Sequence, residues 1–217
     1  MRRVTVALAC VAACVFAVGA GATNECRGLQ VCVPVIGPWV VAEPGQVSFQ
    51  LSCPAKFVVA GLDAELSRPG VDVTFRGSLG TPVNPGITTS RAAEFLARLL
   101  TYGTPATFRP HIGCVPANGS GERFPTVVRP RPAVPPLALQ VPVRPGLHRF
   151  VARCPAGQRL AGATHAIGFY STLPPSAALV RSISAEQRVS GGLVRIAVHA
   201  PPLPGLNAIV QVDLECA

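Results

Sequence analysis

Six cysteines follow the first 22 residues of this 217-residue chain, and their thiols have the most evident chemistry in it. Thiolates at CxxC or Cys/His spacing bind zinc, whereas an even number of cysteines in an oxidising compartment forms disulfides. The sequence has no CxxC motif and no cluster of cysteine with histidine. We therefore expect three disulfides and no metal or other cofactor. The six residues are Cys26, Cys32, Cys53, Cys114, Cys154 and Cys216.

Histidine is the next candidate for chemistry, because it can act as a general base near neutral pH. Three of the four histidines fall at outward positions of alternating strand patterns, which indicates exposed strand residues: His111, His148 and His199. The fourth, His165, could act as a base with Asp213 or Ser171 as its partner. No HExxH or GxSxG motif accompanies it. We therefore predict no catalytic residues and no enzyme, and keep a secreted hydrolase with a site around His165 as an alternative.

Arginine dominates the basic residues, with 18 arginines and the single Lys56. Between Glu122 and Arg159 the chain carries seven arginines and one acidic residue. A polyanion such as an anionic envelope polymer could bind there in a salt-dependent way, whereas a solvated linker is the simpler interpretation. Nucleic acid is not expected as a partner outside the cell. The candidate residues are Arg123, Arg129, Arg131, Arg144, Arg149, Arg153 and Arg159.

An internal repeat specifies how these residues are held. Eight residues recur 101 positions later: Pro44, Gly45, Phe49, Cys53, Pro54, Ala55, Ala60 and Gly61 recur as Pro145, Gly146, Phe150, Cys154, Pro155, Ala156, Ala161 and Gly162. Two equivalent copies should form equivalent disulfides. This predicts Cys53–Cys114 and Cys154–Cys216, and leaves Cys26 to pair with Cys32.

Alternating apolar and polar residues predict half-buried strands. The clearest examples are Val47–Ser52, Phe108–Cys114 and Val210–Cys216, in which Gln211 and Asp213 fall on the polar face. The stretch from Ala93 to Leu100 has strong helix propensity, but its repeat partner around Val194–Val198 alternates as a strand does, so we predict a strand here too, with Glu94 and Arg98 outward. The predicted fold is all-β, with two tandem antiparallel β-sandwich or barrel-like repeats.

The domain boundaries follow from the repeat and from proline. We predict an N-terminal disulfide hairpin over residues 23–38, a first β repeat over 39–115 and a second over 137–217. Residues 116–136 are rich in proline and arginine, which disfavours a central strand and predicts a stiff basic linker.

The first 22 residues predict export. Arg2 and Arg3 precede an apolar run, and small residues follow at Ala20–Ala22, as in a secretory signal peptide. We expect cleavage before Thr23, a secreted mature chain and no transmembrane anchor. A lipoprotein attached through Cys14 is a minor alternative.

Three segments resemble a group of uncharacterised secreted two-repeat proteins from high-GC actinobacteria: Cys26 to Pro34, Asn84 to Ser90 and Phe108 to Cys114. The resemblance spans nearly the whole mature chain. It implies export and the two-copy layout, and it implies no activity, ligand or site residue.

These observations favour an extracellular or cell-envelope β protein that acts by binding, or as a structural component, with an anionic envelope polymer or another secreted protein as its partner. A secreted inhibitor or partner-binding module that presents the Cys26–Cys32 loop is a further alternative.

Overall fold

The computed structural model describes residues 25–27, 29, 31–76, 91–100, 103–117 and 137–217. The predicted signal peptide, Cys14, Asn84–Ser90 and residues 118–136 of the predicted linker lie outside this part of the chain. Within it the protein is mostly β, with one short helix. The strands are β1 Val33–Ile36, β2 Trp39–Ala42, β3 Val47–Ser52, β4 Phe57–Leu66, β5 Val71–Arg76, β6 Ala92–Leu99, β7 Ala106–Pro116, β8 Leu137–Pro142, β9 Gly146–Arg153, β10 Leu160–Tyr170, β11 Ser184–Ser190, β12 Leu193–Ala200 and β13 Asn207–Cys216, and the helix is α1 Ala177–Ser182.

Three antiparallel sheets form the fold, and the all-β prediction is confirmed. The largest sheet has seven strands in the order β1-β7-β2-β10-β13-β8, with β4 also paired to β7. The other two sheets have the orders β3-β6-β5 and β9-β12-β11. The sheets curl into a half-barrel.

The strand order is the same in the two halves of the chain. In the first half β4-β7-β2 and β3-β6-β5 are paired, and in the second half β10-β13-β8 and β9-β12-β11 are paired. The pairs β6 and β12, and β7 and β13, are those that the repeated sequence relates. The repeat itself and the division into domains stay predictions. The halves are joined, because β2 pairs with β10 at Trp39–Phe169 and Val40–Gly168.

Two hydrophobic cores lie between the sheets. The first packs β3 and β6 against β2, β4 and β7, with Phe49, Phe95 and Phe108 fully buried. The second packs β12 against β10 and β13, and Trp39 of β2 extends into it. The three predicted disulfides are present: Cys53–Cys114, Cys154–Cys216 and Cys26–Cys32. The first of these is fully inside its core, whereas Cys154 and Cys216 are half-buried.

The strand predicted from Ala93 to Leu100 is confirmed as β6, in spite of its helix propensity. Its inward residues Ala93, Phe95 and Ala97 are buried as expected. The outward placement of Glu94 is wrong, because this carboxylate is only 6% exposed. Alternation separates the two faces of a strand, but it does not reveal whether the polar face is also covered.

The same error occurs on β13 and β3. Gln211 and Asp213 of β13 and Ser48 of β3 are buried, although the pattern places them on polar faces. The reason is that the polar face of β3 packs across β10 and β13 of the other half. There Ser48 Oγ donates to Asp213 Oδ2 at 2.8 Å, and Gln211 Nε2 donates to the carbonyl of Gln50 at 2.9 Å. Buried polar groups are thus paired across the joint between the halves.

The helix α1 is not predicted by the sequence reasoning. It begins after Ser176, whose side chain accepts a hydrogen bond from the N–H of Leu179 and so caps the first turn. Two prolines precede it, Pro174 and Pro175. Among the described residues no helix is long and apolar enough to cross a membrane.

The N-terminal disulfide segment lies against the sheet at two glycines. Gly61 of β4 and Gly113 of β7 are paired, and the carbonyl oxygen of Glu25 would lie 1.7 Å from a Cβ at Gly61 and 2.1 Å from one at Gly113. Only glycine permits this approach. The segment is therefore seated on the first half rather than separate from it.

Candidate functional site

The sheet β9-β12-β11 has one buried face and one face open to solvent. On β12, Val194, Ile196 and Val198 are buried in the second core. Side chains alternate along a strand, so Arg195, Ala197 and His199 face the opposite way. Residues paired in register point the same way, so the same alternation holds on the neighbouring strands β9 and β11. We call this outer surface the basic face, and its residues are Leu147, Arg149, Val151 and Arg153 of β9, Leu193, Arg195, Ala197 and His199 of β12, and Ser184, Glu186, Arg188 and Ser190 of β11.

Positive charge dominates the basic face. It carries four arginines, all exposed, and one carboxylate, Glu186. Glu186 Oε2 lies 4.0 Å from Arg188 Nη2, with side chains 74% and 83% exposed. An ion pair this exposed contributes little to stability and leaves both groups available to solvent. The face therefore has an excess of guanidinium donors that no carboxylate on it neutralises.

Two of these arginines are direct cross-strand neighbours. Arg188 of β11 is paired in register with Arg195 of β12. Like charges directly opposite each other destabilise an antiparallel pair. On the other side of Arg195 is Val151 of β9, flanked along its own strand by Arg149 and Arg153. An anion bound at this point would relieve the repulsion among the arginines.

Only part of the arginine set predicted from the sequence lies on this surface. Arg149 and Arg153 are on the basic face, while Arg144 and Arg159 are exposed in the connections before and after β9. Arg123, Arg129 and Arg131 lie outside the described residues. Arg188 and Arg195 were missed, because counting charge along the chain does not show which strands are neighbours. The signal that could have found them is the alternation of β12, which already places Arg195 outward.

Aliphatic side chains separate the arginines. Leu147 and Val151 alternate with Arg149 and Arg153 along β9 and are 51% and 58% exposed. Single exposed aliphatic residues are common on protein surfaces. Here Leu147 and Val151 separate the arginines along β9 and offer them no opposite charge.

The surface in the same position of the first half is used differently. The polar face of β3 carries Ser48 and Gln50, and it is covered by β10 and β13. The corresponding face of β9 is exposed along its length, among the described residues. The first half thus uses this face for the joint, and in the second half the face is exposed to solvent.

The pairing of His165 with Asp213 or Ser171 is wrong. His165 Nδ1 lies 3.1 Å from the side-chain oxygen of Gln187 on β11. Asp213 is beside Ser48 in the joint, and Ser171 Oγ donates to the carbonyl of Leu173. His165 is paired in register with Val212, so it faces away from its neighbour Asp213.

The outward placement of His111 is also wrong. His199 is exposed on the outer face as predicted, whereas His148 is exposed but is paired with Val198, in the row that faces the core. His111 of β7 is 3% exposed. Its Nδ1 lies 3.7 Å from Glu25 Oε1 and its Nε2 lies 3.8 Å from Glu65 Oε2. The N-terminal segment covers it, which the sequence pattern of β7 does not reveal. The carboxylates of Glu25 and Glu65 lie near opposite nitrogens of the imidazole ring, so His111 lies between the N-terminal segment and β4.

A cleft of about 390 Å³ opens between the halves. Its lining is mainly apolar, including Val41, Ile167 and Ile183, with Glu43 and Arg181 also present. His165 is not among the lining residues. The cleft therefore does not provide the pocket that a hydrolase based on His165 would need.

The Cys26–Cys32 loop exposes Arg27 and Val31, while Glu25 is buried against the sheet.

In the part of the chain that the structure covers, no group of three or more histidine, cysteine or acidic residues is arranged to hold a metal ion. Comparison of the chain with protein-family models, with curated proteins and with solved structures found no match.

Proposed function

We propose that the chain is an exported, disulfide-stabilised β protein that binds an anionic polymer of the cell envelope through the basic face. The observation that carries this proposal is the exposed set of four arginines, with Arg188 and Arg195 directly opposite each other. Protein surfaces of one sign attract and retain oppositely charged polymers.

Export is supported by two features. The first residues have the composition of a signal peptide, and the three disulfides of the fold are typical of an oxidising compartment. Each long disulfide closes a loop of 61 or 62 residues and so limits the unfolded chain. A chain stabilised in this way is suited to an oxidising compartment.

Binding rather than catalysis is supported by the chemistry of the basic face. Guanidinium groups remain charged at every physiological pH, so they bind anions well but exchange protons poorly. Arg149 and Arg153 extend the charge along β9, and Arg188 and Arg195 extend it across the sheet. A linear polymer with repeated negative charges can contact several of them at once.

The test is co-sedimentation of the mature protein with isolated bacterial cell wall over a salt series. We expect binding at low salt that is lost as the ionic strength rises toward roughly 0.5 M, where surface charges are screened. The double variant R188Q/R195Q should bind less at every salt concentration. It should also show a weaker salt dependence, by about one in log–log slope for each arginine that contacts the polymer.

The matched control is R27Q/R98Q, which removes the same charge from two exposed arginines outside the basic face. It should bind like the wild type. Equal binding by the two double variants would show that net charge alone, and not this face, attracts the polymer. Absence of wild-type binding at low salt would remove the proposal.

A further inference from the structure

We infer that Arg195 is the centre of a phosphate-binding site on the basic face, so that the anionic partners which this face prefers are polymers bearing phosphate rather than carboxylate. The inference rests on the proposed function and specifies the chemistry of the partner. No sequence motif indicates it, because the residues come from three different strands.

The register gives the arrangement of the site. Arg188 is directly across from Arg195, at a Cβ separation of about 5 Å for such a pair. On β9 the residue paired with Arg195 is Val151. Arg149 and Arg153 are two positions before and after Val151 on the same strand, so they lie diagonally across from Arg195. Strand spacing and rise place each roughly 8 Å from Arg195. Among the four arginines of the basic face, Arg195 is thus the one with the other three around it.

Three arginines flank Arg195 on the sheet, one across on β11 and two diagonally on β9. A carboxylate has two oxygens in one plane and is matched by a single guanidinium fork. A phosphate is tetrahedral, and its oxygens can accept hydrogen bonds from donors on several sides. The arrangement around Arg195 therefore fits phosphate better than carboxylate.

A further contact orients the central arginine. Arg195 Nη1 donates to Ser190 Oγ on β11. Guanidinium has five N–H donors, so this contact fixes the group while most donors stay available for an anion. Glu186 is the opposing charge, and it lies beside Arg188 at the β11 edge. It disfavours an anion at the Glu186 end of the face, whereas the Arg195 guanidinium is drawn toward the opposite end, at Ser190.

The experiment compares two soluble polymers by isothermal titration at one ionic strength: sodium polyphosphate, and poly-L-glutamate with a matched number of charges. The proteins are the wild type, R195K, R149K and the control R98K. We expect the wild type to bind polyphosphate more tightly. R195K keeps the charge but loses the planar fork, and should weaken polyphosphate binding roughly tenfold with poly-L-glutamate binding changed by less than about twofold. R149K should show the same effect to a smaller extent, and R98K should match the wild type.

The outcomes separate this inference from the proposed function. Equal wild-type affinities for the two polymers, or unchanged polyphosphate binding by R195K and R149K, would overturn the phosphate site and leave a general polyanion surface. Failure of the wild type to bind either polymer would overturn both. Because Arg195 and Arg149 are exposed, unfolding midpoints equal to the wild type are the expected check on folding.

Discussion

Ser48 on β3 donates a hydrogen bond to Asp213 on β13, at 2.8 Å and inside the joint between the two halves. Thr164 of β10 is hydrogen-bonded to the same hydroxyl at 2.7 Å. The other carboxyl oxygen of Asp213 is buried without a hydrogen-bond partner among the described residues. Burial raises the pKa of Asp213 to about 7, the hydrogen bond from Ser48 lowers it, and the nearby charge of Glu94 raises it. Near neutral pH the joint thus contains a carboxyl group that retains a proton.

The first prediction concerns pH. Because the pKa of Asp213 is higher in the folded than in the unfolded state, its contribution to stability is present at low pH and is lost as the pH rises from about 4 to about 7. The free energy of unfolding should fall over this range by up to about 4 kcal/mol from this group. Asp213→Asn should flatten the dependence and make the protein more stable than the wild type at pH 8. Denaturant unfolding at pH 5 and pH 8 measures this. The exposed Asp72→Asn is the control, and an unchanged slope in D213N would contradict the prediction.

The second prediction concerns the two glycines beneath the N-terminal segment. Gly61→Ala should displace Glu25 and destabilise the protein by about 1–3 kcal/mol, because the new Cβ would overlap its carbonyl. Hydrogen exchange at the N–H of Leu29, which bonds to Cys26, should become faster. Gly45→Ala is the matched control, since no atom lies within 4 Å of its Cβ position. Equal stability of the two variants would show that the segment is not seated at Gly61.

The third prediction compares the two long disulfides. Their sequence separations are 61 and 62, so the chain-entropy effect of removing either should be the same, about 4 kcal/mol. C53A/C114A should nevertheless cost more than C154A/C216A, because Cys53 and Cys114 are fully buried and their loss also leaves a cavity. Unfolding free energies of the two double variants test this order. An equal loss would mean that packing around Cys53 and Cys114 adds nothing.

The fourth prediction follows from like charges on the basic face. Arg188→Gln should stabilise the protein by a few tenths of a kcal/mol at low salt, since it removes the repulsion of Arg195 and loses only an exposed contact with Glu186. The same change should weaken binding of an anionic polymer. High salt should abolish the gain in stability. A loss of stability at low salt would mean that the two guanidinium groups do not repel each other.

The fifth prediction concerns Trp39, which is buried under Arg109. The guanidinium carbon lies 5.6 Å from the centre of the indole ring, and Arg109 Nε donates to the carbonyl of Gly37 at 3.2 Å. Arg109→Gln should cost about 1 kcal/mol or more and change the fluorescence of this single tryptophan. Arg98→Gln, at an exposed position on β6, is the control. Unchanged emission in R109Q would contradict the contact.

The sequence predicts the strands well where one face is apolar. The alternation around Val194 correctly indicated β12, and through the repeat it overrode the helix propensity of Ala92–Leu99. It failed at Glu94, Ser48 and Asp213, since a polar face covered by another element has the same pattern as one in water. The burial of His111 escaped prediction for a related reason, because a segment distant in sequence covers it.

The candidate site was only partly predictable. Local charge density identified Arg149 and Arg153, which are close in sequence. Arg188 and Arg195 join them through strand pairing, over separations of about 40 residues that a linear count of charge does not relate. The disulfides were predicted in full, because the repeated spacing gives two of the pairs without knowledge of the sheet and leaves Cys26 and Cys32 for the third.

The pairing of β2 with both β7 and β10 has a consequence for the covalent chain. The four-residue strand β2 belongs to the first half but pairs with one strand of each half, and its Trp39 packs among the apolar side chains of the second core. A peptide cleavage between β7 and β8 would leave these contacts between the halves intact. The two fragments should stay together as a nicked complex, and separately produced halves should reassemble from solution without a peptide bond between them.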